Sequence, residues 1–240
     1  MNVFTIIALA FAPGIFWLWY FYKKDKIEPE PRALVAKTFF FGILATIPAV
    51  ILETPFRQSK LLMLVFVAPI AEELCKFFTV RWTIYKNDEF DEPMDGIVYG
   101  TATALGFASA ENVLYLLGAF FIPEEVYPGA KSTEALWTVF TLRAFLSVPG
   151  HALWGAIWGY ALGRAKFSEP ERGRSLILKG VLLAMVLHGI FNFLLLYALL
   201  AAIGMLVLVP VMWRMVNQRI AKALESSPFR AESPPEEPAD

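Results

Sequence analysis

Histidine and cysteine are almost missing from these 240 residues: there are two of the first and one of the second. The single thiol, Cys75, has no partner for an internal disulfide, so the fold must be held by packing and the redox compartment is left open. His151 and His188 lie far apart in the sequence, which excludes a HisGluXaaXaaHis zinc motif. Charge is scarce too. Asp, Glu, Lys and Arg make up 18% of the chain, while 57% is hydrophobic and 15% aromatic; soluble domains carry about a quarter charged residues, so an ordinary soluble domain is excluded. The net charge of −1 is gathered in short clusters between long apolar runs, a pattern that argues for a lipid bilayer as partner and against nucleic acid.

What is there is length for crossing a membrane. A spanning helix needs about 20 apolar residues, and the runs predict an all-α, polytopic transmembrane bundle of about seven spans. Their expected ranges are Val3 to Tyr22, Ala33 to Leu52, Leu61 to Trp82, Asp95 to Ile122, Leu136 to Leu162, Leu176 to Leu196 and Leu199 to Met215. The last two are split near Tyr197, because their combined apolar run is too long for one crossing. The first span is followed by Lys23, Lys24 and Lys26, the reverse of a cleaved signal peptide, and Trp17, Trp19 and Tyr20 are expected at an interface. It reads as an uncleaved span with the N-terminus outside.

Basic residues follow that topology. The inner loops hold Lys23, Lys24, Lys26 and Arg32, then Lys86, then Arg164, Lys166, Arg172 and Arg174, with Arg219 and Lys222 in the tail; the outer loops hold Arg57, Lys60 and Lys131. Residues 1–223 are expected to form the transmembrane domain. Residues 224–240, with Pro228, Pro234, Pro235 and Pro238, are expected to form a disordered cytoplasmic tail. Small residues recur at helical spacing at Gly96, Gly100, Ala104 and Ala108, and again at Gly155, Gly159 and Gly163, which allows two helices to pack closely.

Charges near a bilayer centre cost about 2.5 to 3.5 kcal/mol each, so each needs a reason. The third span carries Glu72, Glu73 and Lys76, the fourth Phe107, Glu111 and Asn112, the fifth His151, and the sixth His188 with Asn192 one turn on. With a rise of about 1.5 Å per residue, Glu72, Glu111, His151 and His188 fall about 17, 17, 22 and 12 Å from the outer ends of their spans. Four helices thus bring ionisable groups to one level, which predicts a shared internal cavity; the alternative is a set of hydrogen-bonded struts. Glu72 and Lys76 are i,i+4 and Glu73 and Lys76 are i,i+3, while the adjacent glutamates diverge by about 100°. One carboxylate therefore pairs with Lys76 and the other faces the cavity, and the spacing leaves open which. Pro149 is expected to interrupt the fifth helix just before His151. Arg143 is read as snorkelling to the interface and is left out of the site.

Such a set can activate water by general base catalysis, or bind a divalent metal that lowers the pKa of water. Both outcomes are hydrolysis, with the donors of His188 and Asn192 stabilising an oxyanion. Ser109 and Ser147 lie within spans but not in a GlyXaaSerXaaGly turn, and Cys75 reads as a small buried residue rather than a nucleophile.

GluGluXaaXaaLys at Glu72, Glu73 and Lys76, PheXaaXaaXaaGluAsn at Phe107, Glu111 and Asn112, His151, and HisGlyXaaPheAsn at His188 and Asn192 together resemble the PrsW family of bacterial intramembrane proteases. The resemblance spans Glu72 to Asn192 and extends more distantly to the CAAX prenyl endopeptidase and bacteriocin-immunity superfamily. It implies a multi-pass protein of the bacterial plasma membrane that cleaves a membrane-anchored regulator, typically an anti-sigma factor at a site-one step. Carried over, Glu72 and Glu73 take the water-activating position and His188 with Asn192 the oxyanion side. Glu111 stands where the wider superfamily often has histidine, so a zinc set of Glu73, Glu111, His151 and His188 stays open beside a metal-free, glutamate-driven reaction with no cofactor. A proton-coupled transporter would show repeated halves, and the acidic pair has no counterpart in the second half. A noncatalytic scaffold is the remaining alternative.

Overall fold

The computed structural model describes residues 2–121 and 132–232. Three points of the expected organisation lie outside them: the end of the fourth span at Ile122, Lys131 of the outer loop, and residues 233–240 of the tail.

Among the described residues the chain is helical, and seven helical rods carry it. They are α1 (Val3–Tyr22), α2 (Arg32–Glu53), a rod made of α3 (Lys60–Leu62) and α4 (Ala68–Thr83), and α5 (Pro93–Phe121). Then come a rod made of α6 (Ser132–Leu142) and α7 (Val148–Lys166), α8 (Pro170–Leu195) and α9 (Ala198–Glu225). Four helical stretches are long and apolar enough to cross a membrane: Val3–Tyr22, Arg32–Phe56, Pro93–Phe121 and Pro170–Leu195. The α3–α4 rod, where Glu72, Glu73 and Lys76 interrupt the apolar run, is not among them.

Local chemistry sets the ends. The Asn2 side chain accepts the Thr5 N–H at 2.9 Å and starts α1. Pro93 opens α5, and Asp95 reaches back to accept the N–H groups of Asp91 at 2.6 Å and Glu92 at 2.7 Å, which moves the helix start two residues ahead of the apolar run. Leu196 closes α8, and Tyr197 is extended at φ −130°, so the chain turns at the expected place without a polar loop. Beyond α9, a short 3₁₀ turn covers Pro228–Glu232.

The outside of the bundle is apolar and the inside is charged. Phe4, Phe66, Phe145 and Leu206 are exposed, whereas Glu72, Glu73, Lys76, His151 and His188 are buried. That inversion suits hydrocarbon as solvent and makes the chain an integral membrane protein. At the centre stands α5, buried from Pro93 through Ser109. Its small residues let backbones touch: a Cβ on Gly96 would sit 2.2 Å from the Gly159 carbonyl oxygen of α7, and one on Gly106 would sit 1.9 Å from the Phe39 carbonyl oxygen of α2. Glu111 and Asn112 are thereby fixed relative to the helices on either side. Of the aromatics expected at an interface, Trp19 is exposed, but Trp17 turns inward and its indole N–H donates to the Ala144 carbonyl at 3.4 Å.

Proline produces two matching features. Met63–Val67 and Arg143–Ser147 are π-helical, each ending two residues before a proline, Pro69 and Pro149. A proline ring clashes with the carbonyl four residues back, and widening the turn relieves the clash. The expected break before His151 is therefore a bulge in a continuous rod. In each bulge the first carbonyl is used: Ala68 N–H bonds to Met63 and Val148 N–H to Arg143. The second would need the N–H that proline lacks. Side chains from other helices supply it, Asn192 Nδ2 donating to Leu64 O at 2.9 Å and Trp17 to Ala144 O.

Candidate active site

The bulges sit one turn before the ionisable residues. Glu72 and Glu73 follow Pro69 on α4, and His151 follows Pro149 on α7. With Glu111 of α5 and His188 of α8 they converge on one cavity of about 300 Å³, which Glu72, Glu111, Arg143, His151, His188 and Asn192 help to line. The cavity extends past Glu53 and Lys60 to Leu196, at the end of the bundle where α2 ends, α3 begins and α8 ends.

The glutamates part company. Glu73 is fully buried behind the cavity wall: Oε1 accepts from Lys76 Nζ at 2.8 Å and meets His188 Nδ1 at 3.0 Å, and Oε2 accepts from the Trp158 indole N–H at 3.0 Å. Glu72 faces the cavity and has one hydrogen bond, from Lys76 Nζ at 3.1 Å. Lys76 is wholly buried, lies 2.9 Å from His151 Nδ1, and rests over the Phe107 ring at 4.2 Å from its centroid. Since an ammonium has only donors, Nδ1 of His151 must accept, and its Nε2–H then donates to Glu111 Oε2 at 3.1 Å. By the same logic His188 donates Nδ1–H to Glu73, and in the neutral imidazole this leaves Nε2 as an acceptor, not the oxyanion donor expected from the sequence.

Two residues differ from expectation. Arg143 does not snorkel: it is buried in the π segment, its Nη2 donates to Glu111 Oε2 at 2.9 Å, and its Nε donates to Asn112 Oδ1. Placed near the end of its span by counting, it is turned inward by the bulge, and the carboxylate of Glu111 fixes it there. Asn192 spends a donor on Leu64 O, so it clamps α8 to the bulge besides lining the cavity. Asn112 is a strut, donating to Ala10 O at 3.0 Å. Ser109 bonds to Leu105 O against α1, and Cys75 packs with Ala45, Ala49 and Phe107. Sequence reasoning passed over Trp154 and Trp158, which no count of ionisable groups would flag. Trp154 stacks on His188 with ring centroids 3.8 Å apart, and its indole N–H is buried with no hydrogen-bond partner.

Two groups place oxygen and nitrogen ligand atoms within 4.8 Å of one another, Glu72 with Glu73 and His188, and Glu72 with Glu111 and His151. Mixed carboxylate and imidazole donors fit zinc, and the Glu73–His188 pair has the form of a carboxylate orienting a metal-binding imidazole. The Lys76 ammonium, hydrogen-bonded to Glu72 and Glu73 and beside His151, would compete with such an ion.

An all-helical membrane protein whose buried carboxylates and imidazoles share an internal cavity has the architecture of an intramembrane hydrolase. Residues 30–215 match the model of the family described as "PrsW family intramembrane metalloprotease". Proteins named Protease PrsW are similar along most of their length. That of Geobacillus kaustophilus is 37% identical over 199 residues, 81% of each chain. That of Bacillus subtilis is 33% identical over 198 residues, 80% of this chain and 84% of its own. That of Halalkalibacterium halodurans is 32% identical over 229 residues, 92% of this chain and 98% of its own. No solved structure matches. The chain belongs to the PrsW family of intramembrane proteases.

Proposed function

We propose that this chain hydrolyses a peptide bond of a membrane-anchored protein, of the anti-sigma-factor kind at a site-one step, with Glu72 as general base. The observation that carries the assignment of the base is the division of the glutamates: Glu72 faces the cavity with one hydrogen bond, while Glu73 is committed to Lys76, His188 and Trp158. A water between Glu72 and the His151–Glu111 pair gives its proton to Glu72 as its oxygen attacks the scissile carbonyl carbon. At its core the site holds three carboxylates, Glu72, Glu73 and Glu111, against two cations, Lys76 and Arg143, and Glu53 and Lys60 farther along the cavity add one charge of each sign. Proton uptake by Glu72 balances that excess. Glu72 then returns the proton to the leaving nitrogen as the C–N bond breaks. The N–H of Trp154 is the donor proposed for the oxyanion, because His188 Nε2 is an acceptor and Asn192 is engaged with Leu64.

The proposed setting is seven crossings with the N-terminus outside and a cytoplasmic C-terminal tail, supported by the seven rods and by the basic residues gathered at one end. Reporters fused to the two termini should then label opposite faces.

A second reading is favoured by the two ligand clusters and by the family's description: Glu72 with Glu111 and His151, or with Glu73 and His188, holds a divalent ion. When bound, that ion lowers the pKa of water to about 7.

The deciding assay uses purified protein and a single-span substrate. Glu72→Gln should lower kcat by about 10² to 10⁴ with KM held, and Glu73→Gln, His151→Ala and His188→Ala should each lose activity; unchanged cleavage by Glu72→Gln ends the general-base assignment. Full activity after exhaustive chelation supports Glu72 acting alone, whereas loss on chelation with recovery on adding zinc supports the ion.

A further inference from the structure

At the opposite end of α5 from Glu111, four carboxylates are buried together. Asp25, in the α1–α2 connection, is 4% exposed, and Glu30, Glu92 and Asp95 are 0% exposed. Asp95 spends Oδ2 on the cap of α5, and Glu30 spends Oε2 on the Tyr99 hydroxyl. Of what remains, both oxygens of Asp25, both of Glu92, Oδ1 of Asp95 and Oε1 of Glu30 lack a well-formed hydrogen bond, the contacts within reach being the Glu30 backbone for Asp25, the Ser227 side chain for Glu92, and Glu30 and Asp95 for each other. Ser227, beyond the end of α9, lies beside Glu92.

Burying this many carboxylate oxygens so sparsely paired is costly unless protons or a cation offset their charge. Ligand oxygens of Asp25, Glu92 and Asp95 all lie within 4.8 Å of one another. Oxygens that share a calcium shell, each about 2.3 to 2.6 Å from the ion, lie no more than about 4.6 to 5.2 Å apart, a ceiling that these three groups meet. The donors are carboxylates without nitrogen or sulfur, which selects a hard divalent cation over zinc or copper. We propose that Asp25, Glu92 and Asp95, with Glu30 beside them, form a buried site for a hard divalent cation of the calcium type. The ion joins the α1–α2 connection to the first turn of α5. It is separate from any ion at Glu72, which lies on α4 among the residues around Glu111.

The test uses the full-length protein in detergent, stripped with chelator and titrated with Ca²⁺, with Mg²⁺ and Mn²⁺ as further arms. The expected result is a saturable rise in Tm with one ion bound per chain by calorimetry. Glu72→Gln should keep that response, while Asp25→Asn and Glu92→Gln should lose it. Without the ion these two variants should melt no lower than stripped wild type at alkaline pH, where each removes one repelling charge. Absence of any cation response in wild type overturns the site, as does an undiminished response in both Asp25→Asn and Glu92→Gln. Loss of the response in Glu72→Gln alone overturns it as well, by placing the ion at the catalytic cavity.

Discussion

Side-chain partners, more than depth in the membrane, separate the roles of neighbouring residues at the cavity. Trp154 carries an N–H with no acceptor and a ring lying flat on His188 with an interplanar angle of 10°. These two contributions can be told apart. Trp154→Phe keeps an aromatic face for the imidazole and removes the donor. If that N–H stabilises the oxyanion, kcat should fall by about 10²-fold or more while KM and Tm hold; a fall in Tm with kcat unchanged would assign Trp154 to packing alone. The residues of the cavity that were legible in the sequence were those whose burial is costly. Glu72, Glu73, Glu111, His151 and His188 announced themselves by charge within apolar runs, and helical periodicity showed that Glu72 and Glu73 must diverge. Arg143 and Trp154 were not legible for opposite reasons: a long basic side chain near a span end has an easy route to water, and an indole in an apolar run raises no question. A signal existed for Arg143, because the polar pair Glu111 and Asn112 needed a partner and Pro149 follows it closely.

The two π segments show how one local rule acts at the level of whole helices. In each, a proline removes a donor, the turn widens, and a carbonyl is satisfied from another helix, Leu64 by Asn192 of α8 and Ala144 by Trp17 of α1. The sequence revealed the prolines and the interruption but not the bulge, since the choice between kink and bulge depends on what neighbouring helices offer. The pairing can be tested by a cycle. Asn192→Ala should cost about 1 to 3 kcal/mol by orphaning Leu64 O. In a Pro69→Ala background a backbone N–H becomes available to that carbonyl, and the cost should shrink. The readout is reversible unfolding in mixed micelles, with the interaction taken as the departure from additivity. Additive effects would mean that Asn192 acts on the cavity and not on the bulge. Close packing of α8 here is backed by Gly189, where a Cβ would stand 2.6 Å from Val65 O, so a rearranged bulge should also shift His188.

Across the whole molecule, α5 joins two acidic regions. One end holds Glu111 in a network with Arg143 and His151, and the other holds Asp25, Glu30, Glu92 and Asp95. The composition foretold an apolar exterior and a charged interior, and the small-residue stripes foretold which helices touch. It did not foretell the second cluster, because nothing in the local sequence marks Asp25, Glu30 and Glu92, acidic residues in short connections, as buried until the fold closes over them. Their burial has a consequence for pH. Burial, then the nearby carboxylates of Glu92, Asp95 and Glu28, push the Asp25 carboxyl from its ordinary 3.8 up to about 8. Burial pushes Glu30 upward as well, with Asp95 adding to the rise. Between the unfolded and folded pKa values the native state binds the extra proton, so stability is full below the unfolded value and is lost as pH rises through about 8. In chelator, wild type should lose Tm steadily from mildly acidic to mildly alkaline pH. Asp25→Asn has no proton to lose at this position, so it should gain on wild type over that range. Saturating Ca²⁺ should flatten the wild-type profile, because the ion then supplies the positive charge that protons supply in acid. A difference between wild type and Asp25→Asn that stays constant with pH would show that Asp25 is ionised throughout and balanced by a partner other than protons or a metal.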